Sequence, residues 1–387
     1  MSTDGTMITF KRVLYAIAIV AVLLGVYGFW SRLFFGERDV AYGSYVNWGL
    51  WVAMYLFFAG LAAGAFMVAS LDYLFELPLF RGIGRYALWT TVVTLPAALA
   101  HIGLDLGHME RIWKVYLQPN FGSLLAQLVW SYSAFFVIAL ASLLAVMTGR
   151  RRWLKPMMAV GLFVALFVSG GVGALLGVNA GQVSFHNAML PAQFPILNLA
   201  SGVAVVLVIV AWFGVVTDRD REARLLRVLG YALVALLLAK GYFLWVDYSQ
   251  VFYSQVPDAL AVAELVLFGP YAWAFWILQL GLGIIVPIAV LAAPARFRTP
   301  ALAGLMGAFV LLGLAVGRTA IIFPALSIPD LDGLAEAFTG PHLGFDYAPS
   351  LMEWSVTMGI VGLSVLAYLV GSDRLPFLKS SDPEATA

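Results

Sequence analysis

Apolar residues in this chain run in long unbroken stretches, separated by short segments rich in charge, glycine and proline. They do not alternate every second position, as a half-buried strand would require. A helix needs about 20 mostly apolar residues to cross the hydrocarbon core of a bilayer. Continuous runs of that length predict spanning helices, not the short alternating segments of a membrane barrel. Ten runs qualify, near residues 13–30, 47–70, 85–106, 123–147, 154–178, 195–216, 225–249, 270–292, 301–323 and 352–371. The predicted fold is an all-α polytopic membrane helix bundle of about ten transmembrane helices over residues 1–371, with a short cytoplasmic tail over 372–387.

Basic residues alternate in density from one connection to the next. One face, counted from the N-terminus, collects sixteen lysines and arginines, among them Lys11, Arg12, Arg150, Arg151, Arg296 and Arg298. The other holds four, Arg32, Arg38, Arg111 and Lys114, while Lys240 and Arg318 fall inside spans. Because basic loops stay in the cytoplasm, both termini are predicted cytoplasmic, and the connections around 31–46, 107–122, 179–194, 250–269 and 324–351 face outward. Lys11 and Arg12 precede VLYAIAIVAVLLGVYGFW, which is longer than a signal-peptide core and lacks a small-residue cleavage site; it reads as a retained first span.

Composition agrees with this class and narrows the chemistry. The 387 residues are 62% hydrophobic and 11% charged, against roughly 25% charged in soluble domains. A net charge of +1, with no basic run interleaved with aromatics, offers nothing to a nucleic acid. With no cysteine, the chain lacks the usual ligands of an iron–sulfur cluster, the attachment site of a c-type haem and any disulfide. Such a redox centre belongs to a partner.

An ionisable side chain at span depth costs roughly 2.5–3.5 kcal/mol to insert, so it usually faces the bundle interior or a wet cavity. Those at span depth are Asp72, Glu76, His101, Asp105, Lys240, Asp247, Arg318 and Glu353. His101, Asp105, His108, Asp247, Arg318 and Glu353 all lie toward the outer ends of their spans and are expected to converge there. In LAHIGLDLGHMERIWKVY, residues 99–116, helical spacing puts His101, Asp105 and His108 on one polar stripe. A carboxylate four residues from an imidazole can orient it and exchange a proton with it; the other reading is a polar cap meeting headgroups, which suffices for His108 taken singly. Lys240 and Asp247, seven apart, share a face and read either as a structural ion pair or, with Asp72, as a proton path. For Asp72 and Glu76, pairing with Arg81 and Arg85 at the inner surface is the simpler reading. Of four histidines only His101 sits clearly inside a span, so a bis-histidine haem is not expected. FFAGLAAGAFM, with Gly60 and Gly64, permits close helix approach.

Six stretches together resemble the NrfD-like family of polysulfide reductase membrane subunits, in its ten-span branch with hydrogenase and alternative complex III quinone subunits. They are NWGLWVAMYLFFAGLAAGA (47–65), HIGLDLGHMERIW (101–113), FHNAMLPAQFPILNLASG (185–202), YFLWVDYSQVFY (242–253), GRTAIIFPALSIP (317–329) and YAPSLMEW (347–354). Two departures stand out. Gly107, His108 and Met109 replace a common Gly-Arg-Pro, and Phe185 replaces a common tryptophan. The resemblance implies a membrane anchor with a quinone or quinol site (menaquinone or ubiquinone) near the outer surface, with no haem or cluster of its own. Its implied partners are a ferredoxin-like iron–sulfur subunit on the periplasmic face and a molybdopterin or hydrogenase catalytic subunit. The implied location is the bacterial or archaeal cytoplasmic (inner) membrane. Catalytic roles fall to His101 and Asp105, with Asn47, Tyr132, Arg318 and Glu353 as further quinone-binding residues and Lys240, Asp247 and Asp72 as a proton path. The rival reading is a secondary transporter or proton channel, motivated by Lys240, Asp247, Asp72 and Arg318 inside spans.

Overall fold

The computed structural model describes residues 3–182, 184–294, 299–329, 331, 333–338 and 340–379. Arg296 and Arg298, counted toward the basic face, and tail residues 380–387 lie outside the described residues. Ten helices are long and apolar enough to span a membrane, and no strand occurs among the described residues. They are α1 (Thr3–Phe35), α2 (Leu50–Tyr73), α3 (Gly84–Asp105), α4 (Leu124–Met147), α5 (Arg151–Gly177), α6 (Leu190–Trp212), α7 (Arg219–Ser254), α8 (Ala274–Ala292), α9 (Pro300–Leu326) and α10 (Leu351–Arg374). The chain is a multi-pass membrane protein.

Burial ranks the helices. α2 is 83% buried over its apolar window and α1 only 17%, which puts α2 at the centre and α1 at the rim, where Leu23, Leu24 and Phe34 are exposed to lipid. α2 packs on α3, α5, α6, α9 and α10, and α1 packs along α10. The closest crossings use glycine: a Cβ on Gly64 would overlap the Asn198 carbonyl and the Gly202 amide of α6, and Gly25 of α1 meets Gly359 of α10. Without a hydrophobic drive between helices in lipid, such backbone approach supplies the packing.

The helices overrun the apolar windows where end chemistry allows. α7 has 36 residues, about 54 Å at 1.5 Å per residue, against a core of about 30 Å. Asp218 caps its start by accepting from the Asp220 amide at 2.9 Å. α6 begins at Leu190, five residues before the expected position, because Pro191 occupies its first turn, where a missing N–H costs nothing. The outer connection expected over 250–269 is not a plain loop. α7 continues to Ser254, Gln255 ends it in a left-handed conformation, and a separate helix follows, Pro257–Leu267, too short to span.

The segment expected to be a tail from 372 starts as helix, since α10 runs to Arg374. Phe377 and Leu378 then pack inward, their carbonyls accepting from Arg85 Nη1 at 2.8 Å and from the Tyr86 hydroxyl at 2.7 Å. Lys11 pairs with Asp373 at 2.9 Å, so α1 starts on the face where α10 ends. That is the terminal face of the bundle, and its opposite is the distal face.

Candidate functional site

Apart from Asp72 and Glu76, the span-depth polar residues gather in two groups, both in the distal half of the bundle. The first stands at the end of α3. His101 is fully buried, its ring stacked on Phe58 of α2 with centroids 5.4 Å apart. Its Nδ1 meets the carbonyl of Ala97 at 2.8 Å; that bond assigns the proton to Nδ1 and leaves Nε2 a bare acceptor. Among the described residues Nε2 is buried without a hydrogen-bond partner, as are Oδ1 of Asp105 and the hydroxyl of Tyr42. Asp105 is the last residue of α3, close enough to Arg32, Glu37, Tyr42 and Glu353 to interact electrostatically with each. Burial first, and then the Asp105 charge, push the Tyr42 phenol well above the ordinary tyrosine range.

Among the described residues no hydrogen bond joins His101 to Asp105. The expected carboxylate orientation of the imidazole is therefore replaced by the carbonyl one turn back. The stripe also stops short: Leu106 is extended, α3 ends at Asp105, and His108 lies beyond it, exposed and 3.0 Å from Glu110. Arg32 of α1, unremarked in the sequence beyond its charge, is 3% exposed and closes the helix end. Its Nε donates to the Leu104 carbonyl at 2.7 Å and its Nη2 to Leu106 at 2.8 Å. A cation on terminal carbonyls complements the helix dipole.

Glu353 sits beside this group with its lone pairs already taken. Oε2 accepts from the amides of Ser350 at 2.9 Å and Ala41 at 3.0 Å, and Oε1 from the Leu50 amide at 3.4 Å and the Tyr347 hydroxyl. Burial and then the Glu353 charge hold the Tyr347 phenol far above its usual range, keeping it a donor. Glu353 thus ties residues 41–50 to the start of α10. Asn47 is exposed, three residues before α2 begins, and joins neither group.

The second group lies among α4, α6, α7, α8 and α9. Arg318 of α9 donates to Asn198 Oδ1 at 2.8 Å and stacks over Phe194 at 4.0 Å, while its Nη1 is buried without a partner. Tyr132 of α4 lies edge-on to Tyr55, centroids 5.9 Å apart, within electrostatic reach of Arg318. Lys240 and Asp247 do share a face of α7, and both line a cavity of about 620 Å³ with Asn187, Gln193, Tyr248 and Gln279. Asp247 accepts from Asn187 Nδ2 at 3.0 Å and from Gln193 Nε2 at 3.1 Å. Lys240 Nζ rests against Gly317 next to Gln279, whose Oε1 is buried and unpartnered. Gln279 belongs to a π-helical stretch, Ala274–Ile285, an irregularity often found at functional sites. The helix Pro257–Leu267 walls the same cavity through Ala259, Val262, Ala263 and Val266. Asp72 is elsewhere, at the terminal end of α2, accepting from the amides of Gly82 at 2.8 Å and Gly84 at 2.9 Å. No group of three or more metal-ligating residues forms among the described residues.

Residues 41–330 match the family described as Polysulphide reductase, NrfD, which takes in both groups except Arg32, Glu37 and Glu353 with its Tyr347 and Ser350 donors. The chain belongs to the NrfD family. Several relatives match it nearly end to end. A selenate reductase subunit of Mesobacillus selenatarsenatis is 28% identical over 95% of this chain and 94% of its own length. The Hdr-like menaquinol oxidoreductase integral membrane subunit of Archaeoglobus fulgidus is 25% identical over 92% of each. The menaquinone reductase integral membrane subunit of Nitratidesulfovibrio vulgaris is 21% identical over 91% of this NrfD protein and 88% of its own length. Tyr55, Gln193, Asn198 and Arg318 all fall within the matched residues and within the stretches that carry the family resemblance. Gln279 lies outside every one of the six stretches, and no local pattern marks it.

Proposed function

We propose that this chain is the membrane anchor and quinone- or quinol-reactive subunit of a multisubunit oxidoreductase. It exchanges electrons with an iron–sulfur subunit docked on the distal face, which in turn serves a catalytic subunit of molybdopterin or hydrogenase type in the inner membrane. Near full-length similarity to membrane subunits, two of them named for menaquinol or menaquinone, supports the class. The observation that carries the site is the set of three buried polar atoms without partners at the distal end of α3. A quinol that gives up two electrons also releases two protons, and a bare imidazole nitrogen with a carboxylate oxygen are acceptors of the right kind. A phenol held protonated, as Tyr42 is, donates to a quinone carbonyl.

The test uses the purified complex. Asp105→Asn and His101→Ala are expected to lower quinol-linked turnover by roughly 100-fold or more, while an artificial donor to the soluble subunits keeps its wild-type rate. Unchanged quinol turnover removes His101 and Asp105 from the site.

The 620 Å³ cavity favours a second role for the same protein, a proton path through Lys240 and Asp247. An ionisable pair lining a cavity at membrane depth is the usual mark of such a route. In liposomes Lys240→Met is expected to abolish proton uptake with quinol oxidation in detergent retained. Proton flux from the isolated chain without any redox partner would instead favour the transporter reading.

A further inference from the structure

A separate cavity of about 370 Å³ opens at the terminal face, where α2 and α4 end and α3 and α5 begin. Arg81, Arg85, Arg151 and Lys155 line it, against two carboxylates, Asp72 and Glu76. Both carboxylates are engaged: Asp72 holds the amides of Gly82 and Gly84, and Glu76 pairs with Lys155 at 3.2 Å. Arg81 and Arg151 have no carboxylate within salt-bridge distance among the described residues. Arg85 is 7% exposed and anchored by the Phe377 carbonyl, so a buried cation forms part of the wall. Arg221 of α7 donates to the carbonyls of Leu79 and Arg81, fixing the loop that carries Arg81.

A second feature points the same way. α5 starts at this cavity with Gly149 and Arg151 in its lining, and its N-cap, Arg150, makes no side-chain capping bond. The positive end of a 27-residue helix therefore joins the guanidinium groups, the combination that binds phosphate elsewhere in proteins. Leu77, Val146 and Leu154 complete the wall with apolar surface. A polar anion hole with an apolar flank, set where four span ends meet the headgroup layer, matches an amphipathic ligand better than a free ion.

We infer that this cavity binds the phosphate headgroup of an acidic phospholipid from the leaflet on the terminal face. The head sits between Arg81 and Arg151 at the start of α5, and the first methylenes of an acyl chain lie along Leu77 and Leu154. The site joins α2, α3, α4 and α5 to the returning Phe377, so the bound lipid braces the central helix against its neighbours. This inference is independent of the quinone reading.

The test takes the purified, delipidated full chain in neutral detergent and titrates it with dioleoyl phosphatidylglycerol, dioleoyl phosphatidylcholine or inorganic phosphate. Retained ligand is read by native mass spectrometry, and melting temperature by fluorescence. Phosphatidylglycerol is expected to be retained and to raise the melting temperature, and phosphatidylcholine to do neither. Removing two surface cations with Arg81→Gln and Arg151→Gln together is expected to cost roughly 30-fold in affinity, about fivefold for each. Arg224→Gln, an exposed charge on the same face outside the cavity, leaves affinity unchanged. Equal affinity in the double variant and the wild type, or equal retention of the two lipids, overturns the inference. Stabilisation by inorganic phosphate with no preference for phosphatidylglycerol reassigns the site to a free anion and overturns the lipid. If the double variant does not fold, the comparison of the two lipids on the wild-type chain still decides.

Discussion

Glu353 illustrates how little a single residue type reveals about its work. A buried carboxylate is among the costliest side chains a span can hold, which marks it for function. Its four donors, however, come from Ala41, Leu50, Tyr347 and Ser350, and they convert the charge into a latch. Glu353→Ala is expected to destabilise the chain by about 3 kcal/mol, read as a lower denaturation midpoint in detergent, with faster proteolysis within residues 36–49. An unchanged midpoint would return Glu353 to the proposed quinone site. His101 and Asp105 were legible as candidates because spacing and depth are written in sequence. Tyr42, Arg32 and Gln279 were not, because each reaches its group only through the packing of other elements around it. The Leu104 carbonyl that receives Arg32 lies 72 positions away, and no local pattern encodes such a meeting.

Among elements, the small residues of FFAGLAAGAFM announced a close crossing, and the structure supplies its partner. Gly64 lies against Asn198 and Gly202 of α6 with no room for a side chain. Overpacking costs typically 1–3 kcal/mol even where neighbours can shift, and here the obstacle is backbone. Gly64→Leu is therefore expected to eliminate the monodisperse peak in size-exclusion chromatography. Gly103→Ala, on the open side of α3 with nothing within 4 Å, elutes as wild type. Equal behaviour of the two would show that α2 and α6 do not meet as described. The helix Pro257–Leu267 is invisible to hydropathy for a related reason. At eleven residues it cannot cross a bilayer, and what makes it an element is the cavity wall it completes.

At the scale of the whole molecule, ten spans return the chain to the face where it starts, and the positive-inside rule predicts that face to be cytoplasmic. The absence of cysteine makes this directly measurable. A lone cysteine from Leu117→Cys, on the distal side, is expected to react with an impermeant maleimide in intact cells, and one from Arg150→Cys only after permeabilisation. The reverse pattern would invert the topology and move the docking face. Span count, helical class, the alternation of charge and the short list of polar residues at depth all follow from local composition, because lipid penalises each charge and each unpaired backbone group where it stands in the chain. Tertiary structure alone decided that the polar residues form two groups and not one. It put Asp72 at the terminal end of α2, away from Lys240, gave Glu353 four hydrogen-bond donors, and left His101 Nε2 and Asp105 Oδ1 without partners among the described residues. Those outcomes depend on which helices touch, and helix contacts in a membrane are chosen by side-chain fit across hundreds of residues, which no window of sequence contains.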